Sequence, residues 1–300
     1  MNNFLRTRLA FLFTIVSFTF AYSQGDLRGS IVQLIESVDA KVGVGVMHLE
    51  TGDTLAVNGR GSFPMQSVYK FHLALAILHE VDEGRLSLEK EVPIHKNDYI
   101  PNTWSPIASK YPEGDIQLTI NDLLTYTVAS SDNNGCDKLF RTLGGPAKVN
   151  AYIASLGINE TAIKNTEREM HQSWDVQFKN STTPVAMAKL LDMFYKGEIL
   201  FPSSTSVLRN IMEETITGKN RIKGLLPQGT VVAHKTGMGG REKVISAVND
   251  VGVITLPNGQ HVSIALFITE TSEDVPTLEK LMAQISKKIF DHYSTGKHLK

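Results

Sequence analysis

Three short stretches carry residue types that together could run one reaction: Ser67-Val-Tyr-Lys70, Ser131-Asp132-Asn133 and Lys235-Thr236-Gly237. A serine hydroxyl becomes a useful nucleophile once a base removes its proton. A lysine can be that base if burial and neighbouring cations depress its pKa. A helix beginning at Ser67 would set Lys70 one turn away on the same face, with the hydroxyl beside free backbone N–H groups at the positive end of the helix dipole. A second hydroxyl at Ser131 could pass a proton to a leaving nitrogen, and Asn133 could bond a substrate amide. Lys235 and Thr236, at the end of a strand, could hold a carboxylate, and Gly237 would let a substrate lie against the strand edge.

Each stretch also has a plainer reading. Ser-x-x-Lys arises about once by chance in a chain of this length, and Ser87-Leu-Glu-Lys90 matches it too, as a solvated helix end or turn. Ser67 alone fits an N-cap followed by a snorkelling lysine. Ser131–Asn133 fits an Asx turn with a helix cap, and the lysine motif a strand-end turn with a surface lysine. What favours the chemistry is the ordered set of three.

The elements that must position these residues follow from periodicity. Ile31, Leu34 and Ile35 predict a first helix to about Val38; Val42, Val44 and Val46 alternate with glycines as a strand, and Thr51-Gly52-Asp53 turns into a second strand, Thr54 to Val57. The run from Val68 to Val81 is apolar all round, a buried helix. Further helices are predicted at 119–128, 136–143, 147–156, 184–195 and 205–212. The stretch 161–183 is long, polar and aperiodic, the character of a functional loop. Strands return at 230–235, 244–256 and 261–269, before a closing helix with Leu278, Leu281, Ile285 and Ile289 on one face. Early strands, a helical middle and late strands predict one antiparallel sheet split in sequence, with a helical lobe inserted into it.

Composition narrows the function. With 300 residues, 42% of them hydrophobic, the chain can bury a large core without cross-links. A net charge of -1 gives no electrostatic case for nucleic acid or an anionic membrane surface. The single cysteine, Cys136, excludes an internal disulfide and reads as a small buried apolar residue rather than a nucleophile. With no Cys/His cluster at metal spacing and no glycine-rich phosphate loop, neither metal nor cofactor is expected. Arg6 and Arg8 precede an apolar run from Leu9 to Phe20, and the small residues Ala21 and Ser23 suit a cut before Gln24. Residues 1–23 therefore read as a cleavable signal peptide, the alternative being a retained anchor. No cysteine follows the cut, so no lipid anchor is expected. A periplasmic or secreted monomer, free of the membrane once cut, is the expectation.

Taken in order, the three motifs resemble those of the serine penicillin-recognising enzymes, a superfamily that includes class A β-lactamases and cell-wall D,D-peptidases. The resemblance runs from about Gly25 to the C-terminus. It implies an α+β fold: a five-stranded antiparallel sheet with flanking helices and an inserted all-helical lobe. Residues 24–60 and 215–300 would form the discontinuous sheet domain and 61–214 the helical one, with the active site between them. Class A enzymes add a glutamate on a loop between the second and third motifs. Glu167, in Glu167-Arg-Glu-Met-His171, is placed as that family would place it, with Glu169 as its rival.

Two departures point to a branch. His171 stands where class A usually has asparagine, and Asn180 where it has aspartate. With Gln66 and the stretch Asn220 to Pro227, these resemble the PER/VEB-type extended-spectrum enzymes, whose loop is rearranged. His171 and Asn180 would then order the loop, and His171 would not bind metal. Arg221 would support the carboxylate pocket, and Trp104 would be the aromatic at the pocket mouth. Met238, whose backbone N–H would join that of Ser67 in an oxyanion hole, replaces the threonine usual in relatives. His72 and His234 adjoin motifs and read as structural.

The resemblance thus implies hydrolysis of penicillins and cephalosporins through a serine acyl-enzyme. Ser67 attacks, Lys70 or Glu167 takes the proton, Ser131 relays one, and Glu167 directs the deacylating water. The alternatives are a D,D-peptidase and a non-hydrolysing β-lactam sensor. Glu167 speaks against both, since neither needs fast deacylation.

Overall fold

The computed structural model describes residues 22–241 and 244–296. The apolar leader, residues 1–21, lies outside the described residues. The expected cut before Gln24 falls in the first turn of helix α1 (Tyr22–Ile35).

Strands β1 (Lys41–His48) and β2 (Thr54–Val57) form the early hairpin. Two short pairs follow, β3 (Phe63–Pro64) with β6 (Ser181–Thr182) and β4 (Glu91–His95) with β5 (Gly114–Thr119). Strands β7 (Val232–Arg241), β8 (Val244–Thr255) and β9 (His261–Thr269) complete a five-stranded antiparallel sheet in the order β2-β1-β9-β8-β7. The expected split of that sheet across the sequence is present: β1 pairs with β9, so the first and last strands close around everything between. Both short pairs went unread: β3 and β6 have two residues each, too few for alternation to register, and Pro93 interrupts the strand pattern of β4.

The alternation of valine and glycine in β1 has a double cause. Val42, Val44 and Val46 point into a core shared with α1 and the closing helix α10 (Val275–Ser294). On the other face a Cβ at Gly45 would lie 2.2 Å from the carbonyl of Pro184, and one at Gly43 would strike Phe63 and Pro184. The glycines let a helix sit directly on the sheet.

That helix is α8 (Pro184–Tyr195), beginning and ending where periodicity predicted, with Pro184 at its first position and Thr183 capping it. The remaining helices are α2 (Tyr69–Asp82), α3 (Pro106–Lys110), α4 (Ile120–Val128), α5 (Asn133–Leu143), α6 (Pro146–Ser155), α7 (Glu167–Met170), α9 (Pro202–Glu213) and α10 (Val275–Ser294). Leu278, Leu281, Ile285 and Ile289 of α10 are buried against the sheet, as their spacing implied. Helix α2 is buried on every side from Tyr69 to Leu78 and runs through the main core, which joins the helices to the inner face of the sheet.

Three expectations need correction. The helix after the first motif starts at Tyr69, not at Ser67; Gln66–Val68 form one turn of 3₁₀ helix, and Ser67 caps nothing. The third motif does not end a strand: β7 runs on to Arg241, its glycines still paired with β8 through a register shift at Gly239 and Gly240. Glycines usually weaken strands, which made the boundary look earlier. The stretch 161–183 is not structureless, since it holds α7, a 3₁₀ turn at Trp174–Phe178 and β6. Ser87–Lys90 is a solvated turn, Lys90 donating to the carbonyl of Ser87 at 3.2 Å. No helix among the described residues is long and apolar enough to cross a membrane.

Candidate active site

The 3₁₀ turn presents Ser67 at the head of the buried helix α2. Gln66, just before it, has φ +47°, a left-handed conformation rare outside glycine and maintained here by its surroundings. Strand β7 presses against this turn: a Cβ at Gly237 would lie 2.4 Å from the carbonyl of Met65 and 3.3 Å from the backbone nitrogen of Ser67. The protein's own backbone thus requires a glycine here. Asn249 on β8 ties the same turn down, donating to the carbonyls of Pro64 (2.8 Å) and Met65 (3.0 Å).

Lys70 lies one turn after Ser67 and is fully buried. Its ammonium donates to Ser67 Oγ at 3.0 Å, to the carbonyl of Ser131 at 2.9 Å and to Asn133 Oδ1, and Glu167 Oε1 stands 3.1 Å away. One cation thereby joins the first motif, the second motif and the loop. Glu167 is only 4% exposed. Its place is fixed from α5, where the buried carboxylate of Asp137 accepts the N–H of Glu167 at 2.8 Å and of Arg168 at 3.2 Å. Burial, with the charge of Glu167, raises the Asp137 pKa to about 6. The rival Glu169 is engaged elsewhere, its carboxylate accepting the N–H of Thr166 in a capping box that starts α7.

The second motif does two jobs at once. Asp132 is the N-cap of α5, accepting from Gly135 N at 2.8 Å, and it also accepts from Ile107 N and Ser105 Oγ. The capping reading was therefore right for Asp132. Ser131, held at φ +57°, turns its hydroxyl to accept from Lys235 Nζ at 2.9 Å. Lys235 is fully buried; burial first, then the charge of Lys70, lowers its pKa well below the ordinary lysine range. Ser67, Lys70, Ser131, Asn133, Glu167 and Lys235 thus form one connected hydrogen-bonded and ionic cluster.

Around it, Thr236 Oγ1 pairs with Thr217 Oγ1 at 2.6 Å. Arg221 is buried behind β7, donating to the carbonyls of Gly237 (3.1 Å) and Asn249 (2.9 Å) and pairing with Glu279 at 3.0 Å. Met238 is 57% exposed on the edge of β7, its sulfur 3.5 Å from Arg221 Nη2. Trp104 is exposed beside the second motif, its indole donating to the carbonyl of Ser130 at 2.8 Å. His171 pairs through Nδ1 with the carbonyl of Glu167 (2.8 Å) and through Nε2 with Thr103 Oγ1 (3.2 Å). Asn180 is fully buried and accepts from the N–H groups of Lys164 and Asn165 while donating to the carbonyl of Asn165. Both side chains thus bond to backbone within the loop, and among the described residues no three His, Cys, Asp or Glu side chains form a group that could hold a metal ion. His234 is buried against Asp250 at 2.9 Å, and burial lowers the pKa of His72 to about 4. Cys136 is buried, and burial raises its pKa well above the thiol range.

A cavity of about 470 Å³ opens between the loop and β7, lined by Ser67, Asn133, Glu167, Trp174, Gln177 and Met238 among others. Asp137, Thr103 and Gln177 went unnoticed in the sequence. Asp137 had a signal, being one turn beyond Asn133 on the same face of α5; Thr103 and Gln177 had none.

A family model for the beta-lactamase enzyme family matches residues 26–293. The chain belongs to that family. It is 41% identical over 297 residues to the beta-lactamase VEB-1 of Pseudomonas aeruginosa, covering 98% of both chains. It is 40% identical to the extended-spectrum beta-lactamase PER-1 of the same species, covering 88% of this chain and 86% of that one. The solved TLA-3 extended-spectrum beta-lactamase superposes with a TM-score of 0.89 at 47% identity, over 90% of this chain and 99% of that one. The chain is therefore a class A β-lactamase of the PER/VEB kind, a serine hydrolase of β-lactams.

Proposed function

We propose that Ser67 attacks the lactam carbonyl, its proton passing to Lys70 or, through water, to Glu167. The backbone N–H groups of Ser67 and Met238 hold the oxyanion, since β7 lies against the nucleophile's turn. Ser131, already bonded to Lys235, delivers a proton to the ring nitrogen, and Asn133 bonds the substrate's side-chain amide. Lys235 and Thr236 bind the substrate carboxylate, with Arg221 supporting the strand from behind. Gly237 keeps β7 close to Ser67. Trp104 borders the mouth from the second motif. Glu167 then activates the water that frees the acyl-enzyme.

The observation that carries this reading is the double contact of Lys70, 3.0 Å from Ser67 Oγ and 3.1 Å from Glu167 Oε1. Base and nucleophile share one proton-bearing group, as acylation followed by deacylation requires. The protein works as an exported monomer, periplasmic or secreted after cleavage near Ser23 and Gln24. Support for export comes from the leader, which has the charge and apolar pattern of a signal peptide.

The test is to mix the mature protein with a penicillin or a cephalosporin and follow ring opening together with protein mass. Rapid turnover with little adduct is expected, and Glu167→Ala should convert it to a stable one-to-one adduct. A wild-type adduct that never turns over would favour the D,D-peptidase or sensor alternative. Turnover unchanged in Glu167→Ala would remove Glu167 from its role.

A further inference from the structure

Beside the nucleophile, three side chains from distant parts of the chain close a small polar triangle. Gln177, in the 3₁₀ turn of the loop, accepts through Oε1 from Gln66 Nε2 at 2.9 Å and from Ser246 Oγ at 2.6 Å. Gln66 Nε2 also lies 3.4 Å from Ser246 Oγ, and Gln177 Nε2 donates to the carbonyl of Trp174 at 2.9 Å. The two anchor residues are buried, Gln66 at 7% and Ser246 at 2% exposure. Room for the triangle comes from Gly239, where a Cβ would sit 2.6 Å from the Gln66 amide and 2.7 Å from Ser246 Oγ. The loop segment bearing Trp174 is thus fastened to β8 and to the residue before Ser67.

We infer that Gln177 is a positioning residue for specificity: its clasp on Gln66 and Ser246 fixes the wall of the cavity that receives the acyl side chain of a β-lactam. Two facts separate this role from support of Glu167. Glu167 has its own anchors in Asp137 and Lys70, on the far side of the loop. Gln66, Gln177, Trp174 and Gly239 all line the cavity between loop and β7, whereas Ser246 anchors them from behind. A wall that is already ordered spares a large side chain the entropy of ordering it on binding. A substrate with no acyl side chain gains nothing from it.

The inference rests on the β-lactamase reading, and the experiment separates the two. For wild type, Gln177→Ala, Gln177→Glu and Ser246→Ala, kcat and KM are measured with a bulky oxyimino cephalosporin and with 6-aminopenicillanic acid, which has no acyl group. The ratio of the two kcat/KM values within one preparation is independent of how much protein is folded. In Gln177→Ala that ratio should fall about ten-fold, the scale of one lost buried hydrogen bond, mainly through a higher KM for the cephalosporin. Ser246→Ala should shift it the same way by less. Gln177→Glu keeps both acceptor contacts but loses the donor to the Trp174 carbonyl, so its ratio should lie between those of Gln177→Ala and wild type. An unchanged ratio in Gln177→Ala, even with both substrates slowed equally, would overturn the inference, as would a Gln177→Glu ratio no closer to wild type than that of Gln177→Ala. Wild-type protein that opens neither substrate would overturn the underlying reading before any variant is made.

Discussion

Replacing Asp137 with asparagine tests how the base is held. Helix α7 has four residues, far too few to form unaided, and its first two N–H groups are both received by the Asp137 carboxylate. An asparagine offers one carbonyl and one amino group, so one of those N–H groups would face another donor. An unpaired buried donor costs about 1–3 kcal/mol. If about 2 kcal/mol of this is borne by α7, the ratio of molecules with Glu167 in place to those with it displaced falls about thirty-fold. Lys70 loses Glu167 as a partner but keeps its bond to Ser67 on α2 and its turn, so acylation persists while deacylation lags. Stopped-flow with a chromogenic cephalosporin should then show a burst of about one equivalent followed by slow turnover, with the adduct visible in the intact mass.

The same substitution carries a pH signature. Burial raises the Asp137 pKa to about 6 in the folded state, above the ordinary carboxylate value of about 3.9 in the unfolded chain. Between those values the folded state binds the extra proton, so this group's contribution is fully present below about pH 4 and is lost as pH rises through 6. The shift corresponds to 2–3 kcal/mol at most, as an order of magnitude. The destabilisation caused by Asp137→Asn should therefore be larger at pH 4 than at pH 7, as read by denaturant melts. Full deacylation in the variant, or a stability difference independent of pH, would refute the argument.

Other outcomes follow from the same contacts. Asn180→Asp should lower the melting temperature clearly, because it buries a charge and removes the donor to the Asn165 carbonyl, at a cost of about 2–4 kcal/mol; a Tm within error of wild type would contradict that. Cys136, buried and with its pKa pushed up, should resist thiol reagents in the native protein and react stoichiometrically after denaturation. Native-state labelling would show the core opening there.

How much of this was legible beforehand depended on the kind of pattern. Helix α8 and strands β2 and β9 were readable to the residue, because proline, glycine turns and clean alternation mark their ends. Strand β7 was cut short because its glycines signal weakness in isolation, whereas Gly237 is demanded by the backbone of residues 65–67 and Gly239 by the Gln66 amide and Ser246. The motif residues were legible because their types are chemically unusual together. Their supports were not: Asp137, Thr103 and Gln177 are ordinary polar residues whose importance exists only across the fold, over separations of 30 residues for the Asp137 contact and 111 for the Gln66–Gln177 contact. Spacing to Asn180 and Pro184 favoured Glu167 over Glu169, and in the structure α7 turns the first toward Lys70 and the second back onto its own first turn.

Direction also decides how the two buried lysines divide their work. Lys70 has Glu167 within 3.1 Å, whereas Lys235 donates to Ser131 Oγ and the carbonyl of Thr236, both uncharged. Burial and the positive charge of Lys70 lower the Lys235 pKa, while the more distant Asp250 and Glu167 only partly oppose them. An arriving carboxylate supplies the counter-charge Lys235 lacks, which favours its protonated form in the complex. In the free enzyme Lys235 therefore loses its proton below the ordinary lysine range, and carboxylate binding weakens as pH rises through that value. A charge-assisted hydrogen bond is worth about 1.5–3 kcal/mol, so kcat/KM should fall ten-fold or more on the alkaline limb. Lys235→Arg should move that limb to higher pH, because a guanidinium keeps its charge. A wild-type profile flat to about pH 10, or an arginine variant with the same limb, would assign the titration to another group and leave Lys235 without its part in binding.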